Sequence, residues 1–429
     1  MATQAASTRA GARAAQPVAT DERLASLDVL RGLALLGIGL MNVEYFGRPL
    51  RDMGQGLDTS QTTLDYALSW LVYVFVQGKF WILFSLLFGM GFALLGERAR
   101  ASGADFRVLY LRRAAGLMVI GLVHALLIWA GDILVTYALG ALMLLWFHDA
   151  EPARQGRWGA VLYGVPALAL LLMGVMLWLS PESSASAEPS AAEVARLALE
   201  KARRAEEVVA YSSGSWWDAV IVRARFFLDN LDETLVFEVF AMGMFLIGAW
   251  LLRSGAIADP DAHVRLHRVL RMVAFPVGIA LALGSVSIAV RFDWEADGAR
   301  ALTAMSLMLL ASPLMSLGYL SWTLRALQTR TGARVLGLAA PVGRIALTNY
   351  LLQSVVGTLV FYGYGLGLWG RVPRRWELLG VVVLFGLQVL VSRLWLSHFR
   401  YGPVEWLWRA CTYGPAFTQV SRRSGPRAP

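Results

Sequence analysis

Three groups of polar residues interrupt long apolar stretches of this chain, where ionisable side chains are costly and mark function by default. The first is Asp28, Arg31 and Asn42, with Glu44 just beyond. Asp28 and Arg31 stand at i,i+3 and can pair. Asn42 follows Arg31 by about 16 Å of helical rise and about 20° of rotation, so the two share one helix face. Arg113 and His124 repeat that spacing, and Asp132 follows. Histidine takes and gives a proton near neutral pH without large tuning, so His124 is the candidate general base or proton relay. On a regular helix Asp132 lies about 12 Å and about 80° from His124, so contact between them requires a bend at Gly131. The alternative partner for Asp132 is Lys79. The third group is Arg344, Asn349 and Gln353, whose amides at i,i+4 form one stripe. Such a stripe lines a substrate path or joins helices by hydrogen bonds. Each group also has a purely structural reading, as an ion pair, a hydrogen-bonded core histidine or a pair of bridging amides.

The elements that must position these residues are membrane helices. The 429 residues are 57% hydrophobic and 16% charged, whereas soluble domains carry charge at about 25%. Apolar spans fall near 27–47, 80–96, 112–130, 133–148, 158–179, 235–252, 272–290, 301–323, 345–363 and 376–397. The expected fold is therefore all-α, a polytopic membrane protein of about ten transmembrane helices. Residues 64–77 are also apolar. Joined to 80–96 they would exceed one crossing, so a break at Gln77-Gly78-Lys79 is expected, with an interfacial helix before the second span. Residues 1–22 read as a disordered cytoplasmic tail, 23–179 as a first five-helix half, 180–233 as a long outer loop, 234–412 as a second five-helix half and 413–429 as a cytoplasmic tail. Within the long loop, Ser180–Pro189 reads as flexible and 191–210 as an exposed helix.

The formal charge of +9 does not point to nucleic acid. Its cations, nearly all Arg, cluster between spans (Arg98, Arg100, Arg107, Arg112 and Arg113; Arg253, Arg265, Arg268 and Arg271; Arg325, Arg330 and Arg334). That pattern is positive-inside topology, with both ends cytoplasmic and the protein in a bacterial inner membrane. The single Cys411 excludes an intramolecular disulfide, and no metal-ligand spacing is present: His263 and His267 lie in a basic loop. Phe88-Gly89-Met90-Gly91 reads as close helix packing and not as a dinucleotide fingerprint, because no strand precedes it. Gly363–Gly370 reads as a flexible or backbone-lined outer loop, and Tyr401–Arg409, with two Trp and an Arg, as an interfacial anchor.

The stretches Leu27–Gly32, Lys79–Gly89, Gly121–His124, Gly131–Leu134, Gly343–Gln353 and Gly402–Trp408 together resemble the YeiB-like bacterial membrane proteins, whose C-terminal half is catalogued as a domain of unknown function. The likeness runs from residue 23 to about 412. That family is distantly similar to the transmembrane acyltransferases, which include the lysosomal heparan glucosaminide N-acetyltransferase. The resemblance implies an acyl group taken from cytoplasmic acyl-CoA, the donor substrate, and passed to an outer-face glycan, lipid or small-molecule acceptor. Asp28, Arg31, Gly32 and Asn42 resemble the start of the first span in the heparan enzyme. The histidine of those relatives follows that span, where residues 42–48 here have none, which leaves His124 as the intramembrane candidate.

Under this reading His124, Asp132 and Asn42 are the catalytic set, with His124 as general base and Asn42 or Asn349 bonding the oxyanion. Asp28, Arg31, Lys79, Arg113, Arg344, Asn349 and Gln353 hold substrate, and a cytoplasm-open tunnel lined by Arg31 and Arg113 reaches His124. The same residues also fit a proton-coupled transporter or flippase. The expected partners are membrane lipids, acyl-CoA and the acceptor, with no nucleic acid and no metal; a homo-oligomer stays open.

Overall fold

The computed structural model describes residues 25–53, 57, 61–180, 191–289 and 298–414. The sequence-predicted tail at 1–22, all of the predicted tail 413–429 but its first two residues, and the stretch 181–190 lie outside the described residues. Every regular element described is helical. In order these are α1 (Ala25–Asn42), α2 (Thr63–Phe75), α3 (Lys79–Ser102), α4 (Phe106–Val123), α5 (Leu134–Leu144), α6 (Pro152–Leu179), α7 (Ala191–Ser212), α8 (Trp216–Asp229) and α9 (Leu231–Arg253). There follow α10 (Val264–Val269), α11 (Phe275–Ala289), α12 (Gly298–Leu327), α13 (Arg330–Leu336), α14 (Ala340–Arg344), α15 (Ala346–Phe361), α16 (Arg374–His398) and α17 (Pro403–Tyr413).

Eight described helical stretches are long and apolar enough to cross a bilayer. Arg330–Arg344 and Ala346–Phe361, bent by 83°, supply a ninth if the pair is one span, and Leu134–Phe147 is a shorter apolar helix. Together these occupy the ten predicted positions, so the protein is a multi-pass membrane protein. The break at Gly78 is present: Gly78 has φ +80°, which a side chain would strain, and it separates α2 from α3. α2 does not lie apart from the bundle. Its Tyr73 and Val74 are buried against Ala282 and Val286 of α11 and Met308 of α12.

Glycines let the central helices meet backbone to backbone. A Cβ on Gly89 of α3 would collide with the Phe245 carbonyl of α9, and one on Gly248 of α9 with the Leu86 carbonyl of α3. Gly91, by contrast, faces open space, so only one of the two predicted packing glycines serves that contact. The same device joins α1 to α14 and the turn before it, where Gly32 meets the Ala339 carbonyl and Gly343 the Asp28 carbonyl. Apolar side chains gain little by meeting each other in lipid, so close backbone approach and dispersion carry such contacts. One core cluster takes residues from both five-helix halves, including Leu35, Leu86, Tyr137, Phe245 and Leu347.

The bundle has a tail end, where α1 and α4 begin and α17 docks, and a hairpin end capped by α7 and α8. The sequence predicts only an exposed helix at 191–210, but the structure builds an antiparallel pair. Buried Ala210, Tyr211, Ala219 and Val222 pack there on Tyr45, Phe46, Trp129, Tyr362 and Trp369. Gly363–Gly370 is likewise fastened, with Gly363 N–H donating to the Tyr211 carbonyl (2.8 Å) and Gly370 N–H to the Gly47 carbonyl (3.1 Å). At the opposite end α17, predicted as an interfacial anchor, docks on the bundle. Trp408 Nε1 donates to the Arg113 carbonyl (2.7 Å), and Glu405 accepts from Thr348 N–H (3.0 Å) and Oγ1 (2.5 Å), so this helix seals the starts of α4 and α15.

Candidate active site

The histidine sits where a membrane helix fails. α4 stops at Val123, a single π turn runs over His124–Ile128, closed by Trp129 N–H on the His124 carbonyl (2.8 Å), and Trp129 is extended at φ −156°, ψ 130°. The chain stays non-helical until α5 begins at Leu134. Such backbone survives at membrane depth only when buried in protein, because each unsatisfied carbonyl there costs several kcal/mol, of the order of 2–7. The hairpin supplies the missing donors: Arg223 Nη1 (2.9 Å) and Trp216 Nε1 (3.1 Å) both donate to the Leu127 carbonyl. Trp129 packs on Phe46, ring centroids 4.5 Å apart.

The break performs what a regular helix forbids. His124 Nδ1 lies 2.7 Å from Asp132 Oδ1, and the other carboxylate oxygen accepts Val135 N–H (2.7 Å) at the head of α5. Asp132 therefore pairs with His124, and the alternative pairing with Lys79 is not formed. Lys79 Nζ instead donates to the Tyr73 carbonyl (3.1 Å) and meets Met308 Sδ (2.8 Å). His124 is fully buried, and its Nε2 makes no hydrogen bond among the described residues. In a neutral ring whose Nδ1–H donates to that carboxylate, the lone pair is on Nε2. A buried imidazole oriented by a carboxylate, with the second nitrogen uncommitted, is the arrangement of a general base.

Tyr350 of α15 stands beside it, the two rings 5.1 Å apart, and its hydroxyl reaches the Gly131 carbonyl at 3.4 Å. On its other side Tyr350 lines a cavity of about 210 Å³ together with Asn42, Gln353, Ser354 and Glu377. Asn42 thus belongs to this cavity, with His124 behind the Tyr350 wall. The predicted tunnel lined by Arg31 and Arg113 is not this cavity, since neither arginine nor His124 lines it. Arg31 pairs with Asp28 (2.9 Å), and the Arg113 guanidinium lies 3.6 Å over the Trp408 ring, so both cations are engaged at the tail end.

The span-nine stripe joins helices, while its Gln353 also lines the cavity. Asn349 Nδ2 is shared among the Val342 (3.3 Å) and Ile345 (3.1 Å) carbonyls and Ser392 Oγ (3.0 Å). Gln353 Nε2 donates to Gln388 Oε1 (3.0 Å), and Gln388 Nε2 donates back to the Asn349 carbonyl (2.9 Å). Asn349 therefore has no free N–H for an oxyanion. Arg344, at the end of α14, stands at the 83° bend before α15 rather than in the cavity.

Glu44, noted from sequence just beyond the first group, bridges Arg48 (3.0 Å) and Arg374 (3.1 Å), and Arg374 also pairs with Glu377 (3.0 Å), a charge cluster beside the cavity. Arg374 and Glu377 escaped the sequence reading, as did several other residues. Glu238 lies buried in α9 with both carboxyl oxygens unpartnered among the described residues; its place inside the span 235–252 was a readable signal. Gln388 and Ser392 were equally readable as polar positions in span ten. Glu207 of α7, outside the spans, is held by burial at about 7, above the usual carboxylate range. It accepts Leu50 N–H (2.6 Å), with Arg51 at 3.9 Å. Arg223 and Glu207 could not be found by pattern, because each acts across the fold on loops distant in sequence.

Comparison with known proteins gives a consistent kinship. Residues 251–415 match the family described as "Protein of unknown function (DUF418)". The Bacillus subtilis "Uncharacterized protein YxaH" is 35% identical over 415 residues, covering 93% of this chain and 96% of that protein. The Escherichia coli "Uncharacterized protein YeiB" is 31% identical over 410 residues, covering 94% of this chain and 100% of that protein. With likeness of that extent over nearly the full length of each, the chain belongs to the YeiB-like family.

Proposed function

We propose that the protein is a transmembrane acyltransferase of the bacterial inner membrane that uses the His124–Asp132 pair as its base. In this reading both tails are cytoplasmic, the α7–α8 hairpin is outside, and acyl-CoA is the donor. The observation that carries it is the uncommitted Nε2 of a fully buried histidine whose other nitrogen is fixed by a carboxylate at 2.7 Å. The acceptor hydroxyl passes its proton to Nε2 as its oxygen attacks the thioester carbonyl. The tetrahedral intermediate then expels the CoA sulfur, which takes that proton back from the imidazolium. Asp132 holds the tautomer and steadies the imidazolium. Asn349 is committed, and Asn42, whose side chain caps no helix, reaches the oxyanion only once the Tyr350 ring between it and His124 has moved.

The test is acyl-CoA binding and CoA release by the purified full-length protein in detergent, wild type beside His124→Ala. Both should bind, and the variant should lose turnover by about 10²–10⁴-fold. A folded wild type that binds no acyl-CoA would sink the reading. One observation favours proton-coupled transport instead: the unpartnered carboxyl of Glu238 within α9. That alternative predicts that Glu238→Gln abolishes substrate movement across proteoliposomes without any covalent change in the substrate.

A further inference from the structure

The cavity behind Tyr350 lies between α1, α15 and α16, and its walls are mostly apolar, with Val43, Phe46, Val360, Phe361, Val381 and Leu384 among them. At about 210 Å³ it is smaller than the ~300–1,000 Å³ sites that enclose whole small molecules. It is therefore sized for part of a larger molecule whose remainder stays outside. Gly380 lines it, and a Cβ built there meets nothing within 4 Å. This open side adjoins Trp376, Leu379 and Val383, exposed apolar residues of α16, which in a membrane protein face the lipid. What enters by that side comes from the hydrocarbon phase.

An apolar wall by itself would not hold a chain in place, because leaving lipid for another apolar surface gains little. Selection must come from the polar groups in the cavity. Gln353 is already bonded to Gln388. The Asn42 amide, only 7% exposed, caps no helix and lines the cavity. An amide so placed suits a hydroxyl group carried close to an alkyl chain. On the far side of the same cavity Tyr350 touches the ring of His124.

We infer that this cavity seats the alkyl chain of a hydroxyl-bearing membrane lipid, and that this lipid is the acyl acceptor. The inference rests on the acyltransferase reading above. The lipid enters past Gly380, its hydroxyl meets Asn42, and movement of the Tyr350 ring brings that hydroxyl to His124 Nε2. Ester formation then follows the proton path already described, with acyl-CoA as the second reactant and free CoA as the second product.

The experiment uses the full-length protein in detergent with a long-chain alcohol bearing a photoactivatable diazirine on its chain. Labelled peptides are mapped in wild type, in Gly380→Phe, which fills the window, and in Gly386→Phe. Gly386 lies on the same helix, also has open space for a Cβ, and does not line the cavity. Labelling of 350–361 and 376–384 should be lost in Gly380→Phe and unchanged in Gly386→Phe. Equal labelling in all three would mean general lipid contact and would overturn the site. In parallel, wild type and Gly386→Phe given acyl-CoA and the alcohol should form the ester equally, whereas Gly380→Phe should make none. Wild-type CoA release without ester overturns the acceptor assignment alone. Absence of any acyl-CoA turnover overturns the acceptor assignment together with the acyltransferase reading, and the labelling pattern still decides whether the cavity holds lipid.

Discussion

The break at His124–Asp132 and the stripe at Asn349–Gln353 both place polar groups at membrane depth, yet they end in opposite states. In the stripe the valences close: Asn349, Gln353, Gln388 and Ser392 bond to one another and to nearby carbonyls across α15 and α16. At the break they do not close. Asp132 spends both oxygens, Leu127 is satisfied from the hairpin, and one nitrogen of His124 is left over. A buried polar group without a partner is destabilising by about 1–3 kcal/mol. It persists where the surrounding structure over-determines it, and such places are sites of function more often than closed networks are. Polarity in a span is therefore a weaker guide than the count of hydrogen bonds it is left without.

Four substitutions would break or sharpen this contrast. The largest expected effect is on chemistry at the open site: His124→Ala should reduce acyl-CoA turnover per folded molecule by about 10²–10⁴-fold. It should also destabilise by about 1–3 kcal/mol, because it leaves the buried Asp132 Oδ1 without its partner. Wild-type turnover per folded molecule would make His124 structural. Next is Arg223→Leu, which strips the Leu127 carbonyl of a donor and leaves the Tyr364 hydroxyl without its 2.8 Å partner. It should cost about 1–3 kcal/mol and lower turnover. Hydrogen exchange confined to 124–133 should rise with it; unchanged exchange there would separate the hairpin from the break.

At the closed site, Gln388→Leu should destabilise by a similar 1–3 kcal/mol, because it removes one hydrogen-bond partner from Gln353 and one from the Asn349 carbonyl. Turnover per folded molecule should be kept. Loss of turnover without loss of stability would move the stripe from glue to substrate path.

The smallest effect concerns the hairpin. Burial lifts the Glu207 carboxyl from its ordinary 4.5 to about 7. The folded hairpin thus binds the proton more tightly than the undocked one does. Its contribution to docking is full below about pH 4.5 and is lost as pH rises through about 7. Exchange of the Leu50 amide, corrected for intrinsic rate, should quicken from pH 5 to pH 8 in wild type and lose that dependence in Glu207→Gln. Equal slopes in the two proteins would show that Arg51 and the neighbouring Asp52 govern the seam instead.

Long apolar runs between arginine clusters determined the fold class by themselves, because crossing the hydrocarbon requires about 20 apolar residues and a helix that satisfies its own backbone. The break at Gly78 was legible for the same reason: 63–102 is too long for a single crossing. The pairing of Asp28 with Arg31 was legible too, being contained within one helical turn. What the sequence left open were contacts between parts far apart along the chain. Whether Asp132 met His124 or Lys79 depended on a π turn that local pattern does not encode and that Arg223, about a hundred residues later, keeps satisfied. Whether Asn349 was free depended on Ser392 in the next helix, and whether Asn42 shared a chamber with His124 depended on the Tyr350 side chain between them. Helical periodicity and hydropathy act over neighbours in sequence, whereas the satisfaction of a buried polar atom depends on what the whole fold brings within 3 Å of it, and only the tertiary structure decided that.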